Sequence, residues 1–525
     1  MSRRWMVPLT LALVACFSGG WLLQRELAVG TDVYQQARLF EDVLAHVRDY
    51  HVDSLPEAEL YLRATQGMLQ ELHDPYATLL TGKDWERLQE RTTGDYAGVG
   101  LQVDARNGWI TVVSAMQGTP ADRAGIRPGD LLVEVQGEAA AGWTMERAVQ
   151  ALRGQSGSPV DIGVRREGVE APIRYRLTRE RIHQRAVPRG VLLDGGVGYL
   201  SMTIVRENSA EELSQEVARM VALGMKALVF DLRSDPGGLR DEAVNVSDLF
   251  LDSRQDILVS RGRAPGDNFR WTDKAPQRWQ WLPIVVLVNR GTASAAEIIA
   301  GALQDHDRAL VVGDTTYGKG IVQTLFPLGP HIALRITTAR WFTPSGRSIQ
   351  GAALDSVMGL PHAKAIETSF HSDAGRALSG GGGIVPDVIL APDTLSTPEQ
   401  RFSRALEGQV PAFRDALTAY ALELRRSSGV SNPDFSVTPE MRQEVRRRLE
   451  QKGVSIPDSV FDAGDRILGE QLGYEVVRYR FGPEAEQLRR VRDDPQVREA
   501  VGLLRSAPSP QALLGMATPA ASRAH

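Results

Sequence analysis

A single cysteine, Cys16, in 525 residues removes several chemistries at once. Without a second thiol there is no internal disulfide, no Cys-X-X-Cys redox pair and no cysteine-rich zinc site. The nine histidines are scattered, at 46, 51, 73, 183, 306, 331, 362, 371 and 525. No His-Glu-X-X-His occurs, so the helix-borne zinc pair is absent too, and no metal or cofactor is expected. Charge of one sign is also lacking: 60 Lys and Arg against 65 Asp and Glu leave a net −5. That gives no case for nucleic acid, whose binders carry a basic face. Neither Gly-X-Ser-X-Gly nor Ser-X-X-Lys is found, so the hydrolase elbow and the β-lactamase-type serine pattern are missing.

What is present is an ordinary globular balance, 42% hydrophobic and 24% charged, over a length that suggests about three or four domains. The first 25 residues stand apart. Arg3 and Arg4 precede an apolar run over 5–23, interrupted by Ser18, Gly19 and Gly20. This reads as an export signal, and its length is near that of a membrane span. Three alternatives stand: a retained signal anchor, a cleaved signal, or a lipoprotein acylated at Cys16 in Leu13-Val14-Ala15-Cys16. Each leads to a body exported to the cell envelope or periplasmic side, close to the inner membrane. A core of this size can dispense with disulfides outside the cell.

Along the chain the periodicity changes four times. Residues 31–92 are predicted helical, with Leu39, Val43, Val47 and Tyr50, then Leu60, Ala64, Met68 and Leu72, at helical spacing. Residues 95–182 form a small β-rich module of short strands between turn residues. Residues 187–395 alternate strand and helix, and the apolar run 283–288 reads as a strand buried on both faces. Residues 351–380 are a polar surface insertion. Residues 398–505 are helical and rich in Arg and Glu, and 506–525 are expected to be a disordered tail. The predicted class is multidomain α+β, with an α/β core, an inserted β module and flanking helices.

Three segments could carry chemistry. Ser294 stands between the buried strand and a helix, where α/β sheets place their sites and where free N–H groups can bind a developing oxyanion. Alone, Ser294-Ala295-Ala296-Glu297 reads as a capping box. Lys319 follows another buried strand. Gly313 to Lys319 approaches a phosphate-binding loop, but Gly320 replaces the hydroxyl that should hold magnesium. A lysine can activate a serine only if burial keeps it neutral. Gly318 and Gly320 permit that packing, and Gln323 could orient the amine. The third segment, Asp231 to Gly238, ends in two glycines after a strand, able to aim N–H groups at a ligand.

Together with 338–351, 383–388 and 39–100, these segments resemble, in order, the motifs of the C-terminal processing (tail-specific) peptidases. The resemblance covers roughly residues 35–395. It implies a serine endopeptidase with Ser294 as nucleophile, Lys319 as general base and Gln323 positioning the lysine. The oxyanion hole would use the N–H of Ala295 and of Gly237 or Gly238, and the core would have the layered sheet-and-helix build of crotonases and Clp proteases. The module at 95–182 resembles a PDZ domain. Gly98-Val99-Gly100-Leu101 matches its carboxylate-binding loop, and Ala124 to Asp130 matches its characteristic turn. Substrates would be proteins or peptides with free C-termini, the peptide adding as a strand to the sheet edge. Two departures from the family pattern are visible: Asp235 stands where Asn is usual, and about 30 residues intervene between Gly351 and Gly381. The alternative is a non-catalytic, membrane-associated PDZ scaffold. For the C-terminal helices a homo-oligomer contact and an adaptor site are both left open.

Overall fold

The computed structural model describes residues 33–166, 168–351, 370–391, 393–427, 429–507 and 509–517. The leader with Cys16, most of the 351–380 insertion and the last eight residues lie outside that set. No helix among the described residues is long and apolar enough to cross a membrane.

The centre is a six-stranded sheet in the order Val191–Leu193, Val197–Ser201, Ala227–Asp231, Ile284–Val288, Leu310–Gly313, Val388–Ile389. The first pair is antiparallel and the rest are parallel. Strand side chains alternate between faces. Leu228, Phe230, Ile284, Val286, Val288 and Val311 enter one core beneath the helices Ser209–Ala222, Arg240–Asp248 and Ala295–Asp305. Val229, Val285, Leu287, Leu310 and Val312 enter a second core on the opposite face. That burial on both sides explains the unbroken apolar runs in these strands.

The second core is closed by the far end of the chain. Val497, Ala500, Val501 and Leu504 of the helix Pro495–Ser506 pack there. So do Ala507 and Leu513, the latter from the short helix Pro510–Leu514. This corrects the expectation of a disordered tail from 506: as far as 517 it is folded against the sheet. Terminal position suggested disorder, but Ala507 and Leu513, with Met516 and Ala517 beside them, pack into the second core.

A second, antiparallel sheet stands over the C-terminal ends of the parallel strands. Its long strand Ile332–Phe342 pairs with Asp256–Gly262, with Ile321–Gly329 and with Thr78–Thr81. The N-terminal region is thereby sewn into the core. Its helix Lys83–Thr93 follows directly. The helix over 33–50 matches expectation in type, but Leu39, Phe40, Val43 and Tyr50 remain exposed.

The 95–182 module is a sheet in the order Leu101–Arg106, Trp109–Ala115, Leu131–Val135, Pro159–Arg165, Ile173–Thr178, with helices Pro120–Arg123 and Met145–Leu152. Its own core includes Val99, Val103, Ile110, Leu132, Leu152 and Val160. The strands Asp95–Gly98 and Glu180–His183 pair at its base, so chain entry and exit lie together, as in an insertion. The outer face of its edge strand meets the C-terminal helices. Arg106, 5% exposed, donates to Thr418 Oγ1 at 2.9 Å and to the Arg414 carbonyl at 3.2 Å, and Arg425 donates to the Pro128 carbonyl at 3.1 Å.

Candidate active site

Ser294 sits at the turn between the strand Ile284–Val288 and the helix Ala295–Asp305, with φ 55° and ψ −116°. For a residue with a Cβ this is strained backbone, costing about 1–3 kcal/mol, and it is held only where the surroundings enforce it. They do so here. Thr292 Oγ1 donates to the Leu232 carbonyl at 2.8 Å, and Asn289 Oδ1 accepts the N–H of Ser234 at 2.8 Å and of Gly291 at 2.9 Å. The capping box expected from the tetrapeptide is present in arrangement, with Ser294 and Glu297 facing each other's backbone, but the serine side chain makes no capping hydrogen bond. Glu297 Oε2 accepts the Ser294 N–H at 2.7 Å, but the Glu297 N–H donates to the Ser294 carbonyl at 2.9 Å. The serine hydroxyl is therefore not spent on the helix.

Glu297 has a larger part than a cap. It is fully buried, and its carboxylate accepts four donors. These are Thr316 Oγ1 at 2.5 Å and Gly318 N–H at 2.7 Å on one oxygen, and Ser294 N–H at 2.7 Å and Lys319 N–H at 2.9 Å on the other. Burial pushes its carboxyl up, against the pull of those donors. One carboxylate thus ties the serine turn to the lysine loop. Nothing in the sequence beyond the Ser-X-X-Glu spacing signalled this.

Lys319 follows Gly318, whose φ of 85° and whose contact with the Ile349 carbonyl, 2.9 Å from where a Cβ would lie, both require glycine. Burial, first, and the nearby Arg335 hold the lysine below its ordinary value, against Glu297 and Asp74. Its Nζ donates to Gln323 Oε1 at 3.3 Å and lies 4.2 Å from the centre of the Tyr76 ring. Gln323 is thus a hydrogen-bond partner of the amine, and Tyr76, which the sequence reading did not single out, forms a wall beside it. Ser294 and Lys319 are not hydrogen-bonded to each other here. They line one cavity of about 540 Å³ with Gly237, Gly238, Ala295 and Gln323.

The two glycines are not equivalent. The Gly237 N–H donates to Asp235 Oδ1 at 2.8 Å. The N–H groups of Gly238 and Ala295 donate to no group among the described residues. A Cβ on Gly237 would lie 2.7 Å from the Ala295 nitrogen, so the glycine loop rests against the serine turn. Asp235 is fully buried with Oδ2 unpartnered, and burial pushes its carboxyl up to about 7.

Gly98, Val99, Gly100 and Leu101 lie elsewhere, at the start of the module's edge strand beside the helix Met145–Leu152. Gly100 has φ 76°, and a Cβ there would strike Thr119 at 2.3 Å. The N–H groups of Val99 and Gly100 have no acceptor among the described residues. No cluster of ligands for a metal occurs among the described residues.

The family model for peptidase family S41 matches residues 196–357, and that for the PDZ domain matches 111–166. A carboxy-terminal-processing protease of Bartonella bacilliformis is 37% identical over 327 residues, 62% of this chain and 74% of the relative. A probable CtpA-like serine protease of Staphylococcus aureus is 32% identical over 364 residues, 67% of this chain and 71% of the relative. Among solved structures, a photosystem II D1 C-terminal processing protease is 28% identical, covers 68% of this chain and 88% of its own, and superposes with a TM-score of 0.35. On the extent and identity of these sequence matches, the chain belongs to the carboxy-terminal-processing proteases of peptidase family S41, serine-type peptidases, and it carries a PDZ domain.

Proposed function

We propose that Ser294 is the nucleophile of this peptidase, with Lys319 as its general base and Gln323 as the residue that orients the lysine. Ser294 Oγ attacks the carbonyl carbon of the scissile peptide bond, and its proton passes to neutral Lys319 Nζ. The carbonyl oxygen becomes an oxyanion held by the N–H of Ala295 and of Gly238. Lys319 returns the proton to the leaving amine. Water, deprotonated by the same amine, then attacks the acyl-enzyme and frees Ser294. The observation that carries this reading is the pair of unspent N–H groups beside a strained serine, in one cavity with a half-buried lysine. Gly238 is preferred over Gly237 because only its N–H is unoccupied. The contact between Ser294 and Lys319 closes as substrate binds, when the amine turns from the Tyr76 ring.

The cavity wall beside Ser294 is apolar, with Val205, Leu258, Ile298, Ile321 and Trp341, which suits an apolar side chain before the cut bond. The free edge of Leu101–Arg106 receives the substrate's tail as an added strand, its carboxylate on the N–H groups of Val99 and Gly100. The apolar run behind Arg3 and Arg4 supports an exported, membrane-proximal enzyme.

Ser294→Ala and Lys319→Ala are each expected to abolish cleavage of an unfolded protein with an apolar tail. A serine-reactive fluorophosphonate should label the wild type and not Ser294→Ala. In the wild type kcat/KM should rise with pH as Lys319 loses its proton, the limb lying below the ordinary lysine value of 10.5. Retained turnover in both alanine variants would sink the assignment.

A further inference from the structure

The cavity around Ser294 holds charges that peptide hydrolysis itself does not use. Arg91, from the helix Lys83–Thr93, and Arg335, from the strand Ile332–Phe342, both line it. Arg335 is half-buried, and the one side-chain hydrogen bond it makes among the described residues goes from Nε to the Tyr76 carbonyl at 3.4 Å. Neither arginine forms an ion pair with a carboxylate among the described residues. They lie within each other's field: burial, first, and Arg91, second, lower the Arg335 guanidinium, against the pull of Asp74. Burial, first, lowers the Arg206 guanidinium against Glu212 and Asp235, and Arg91 adds to that lowering last.

The acids close by are engaged. Asp241, also in the cavity, is held by Arg240 at 2.8 Å. Asp74 accepts the N–H of Tyr76 at 3.0 Å and of Thr337 at 3.1 Å. A chain of net charge −5 thus keeps like charges together along its proposed catalytic cavity, with Asp74 within electrostatic reach of Arg335 but no carboxylate in direct ion pair with either arginine among the described residues. Placement in the last turn of its helix accounts for part of Arg91's position. It does nothing for Arg335, which sits mid-strand. An unpaired guanidinium in a partly buried cleft presents a planar fork suited to a carboxylate, and a ligand that supplies one relieves the repulsion.

We propose that Arg91 and Arg335 form a carboxylate-binding subsite of the cleft, separate from the PDZ groove, which receives an anionic group of the peptide lying across Ser294. That group is the α-carboxylate of a short tail or the side chain of an Asp or Glu. The proposal rests on the reading of Ser294 as nucleophile for its place in the reaction. The binding it describes is measurable without turnover.

The test uses the full chain and three quenched fluorescent peptides of one sequence: a free-acid tail, an amidated tail, and an amidated tail with Glu replacing its last residue. In the wild type, carboxylate-bearing peptides should exceed the plain amide in kcat/KM. Arg335→Gln and, independently, Arg91→Gln should erase roughly ten- to hundredfold of that preference, read as the acid-over-amide ratio within each variant, so that any effect of Arg335→Gln on Lys319, common to all three peptides, cancels. Loss confined to the free acid assigns the α-carboxylate; loss confined to the Glu-bearing amide assigns the side chain; loss for both shows a subsite that accepts either. The same ordering should appear in Kd values measured in a Ser294→Ala background, which reads the subsite whatever the nucleophile is. An acid-over-amide ratio equal in wild type and both variants would mean that the PDZ groove alone reads the carboxylate, and would overturn the proposal. So would a uniform loss on all three peptides, the mark of a structural role. Missing fluorophosphonate labelling of the wild type would count against Ser294 and leave the Kd comparison standing.

Discussion

Asp235 shows how much one atom changes at the residue scale. Its Oδ1 takes the Gly237 N–H and so leaves Gly238 as the free donor, while Oδ2 is buried without a partner. An amide there would keep the first contact and carry no charge. With a carboxyl pushed up to about 7 by burial, against the Gly237 N–H and Arg206, folding becomes sensitive to pH. Between about pH 4 and 7 the folded chain keeps a proton that the unfolded chain has released. Stability therefore falls as pH rises through that window and stays lower above it, by roughly 4 kcal/mol at full extent. Asp235→Asn removes this dependence. Its melting temperature should exceed that of wild type by a wider margin at pH 8 than at pH 5. An equal margin at both pH values would show that the carboxyl does not titrate there.

At the scale of elements, the site is a meeting of loops at strand ends, each set by a local necessity. The serine turn accepts a strained φ because its neighbours are tied to the Leu232 carbonyl and to Ser234. The lysine loop hangs from Glu297. The glycine loop depends on Gly238, with φ 152° and the Val205 carbonyl oxygen 1.8 Å from where a Cβ would lie. Gly238→Ala must push the loop from the Val205 segment and carry the free N–H with it. Loss of activity is expected together with destabilisation of at least about 2 kcal/mol, read by chemical denaturation. A stable, fully active Gly238→Ala would exclude this N–H from the oxyanion site. The three sequence motifs around Ser294, Lys319 and the paired glycines were legible because each requires particular small or polar residues at fixed offsets. Tyr76, Arg91 and Arg335 were not. They come from segments about 200 residues or more from Ser294, or from a long strand whose alternation says nothing of what it faces.

For the whole molecule, the C-terminal helices complete the fold and hold the PDZ module. Pro495–Ser506 covers the second face of the central sheet. Arg106 and Arg425 tie the module to Val410–Ser427 and its neighbours. Leu504, 4% exposed against that sheet, should cost roughly 2–4 kcal/mol when changed to Ala, and truncation after 494 should yield protein that does not fold. Soluble truncated protein that still labels at Ser294 would show that the six strands stand without their cover.

The sequence by itself determined the buried strands and the order of modules, because periodicity is written in neighbouring residues, and it marked Ser294, Lys319, Gln323 and the glycine pair as candidates through the resemblance of several ordered motifs to a known family. It could not separate Gly237 from Gly238, show that Glu297 joins two loops, or place the chain's last helices on the sheet. Those outcomes depend on which N–H groups find acceptors and which faces find cover. Only tertiary packing decides that, because the partners are brought together from distant parts of the chain.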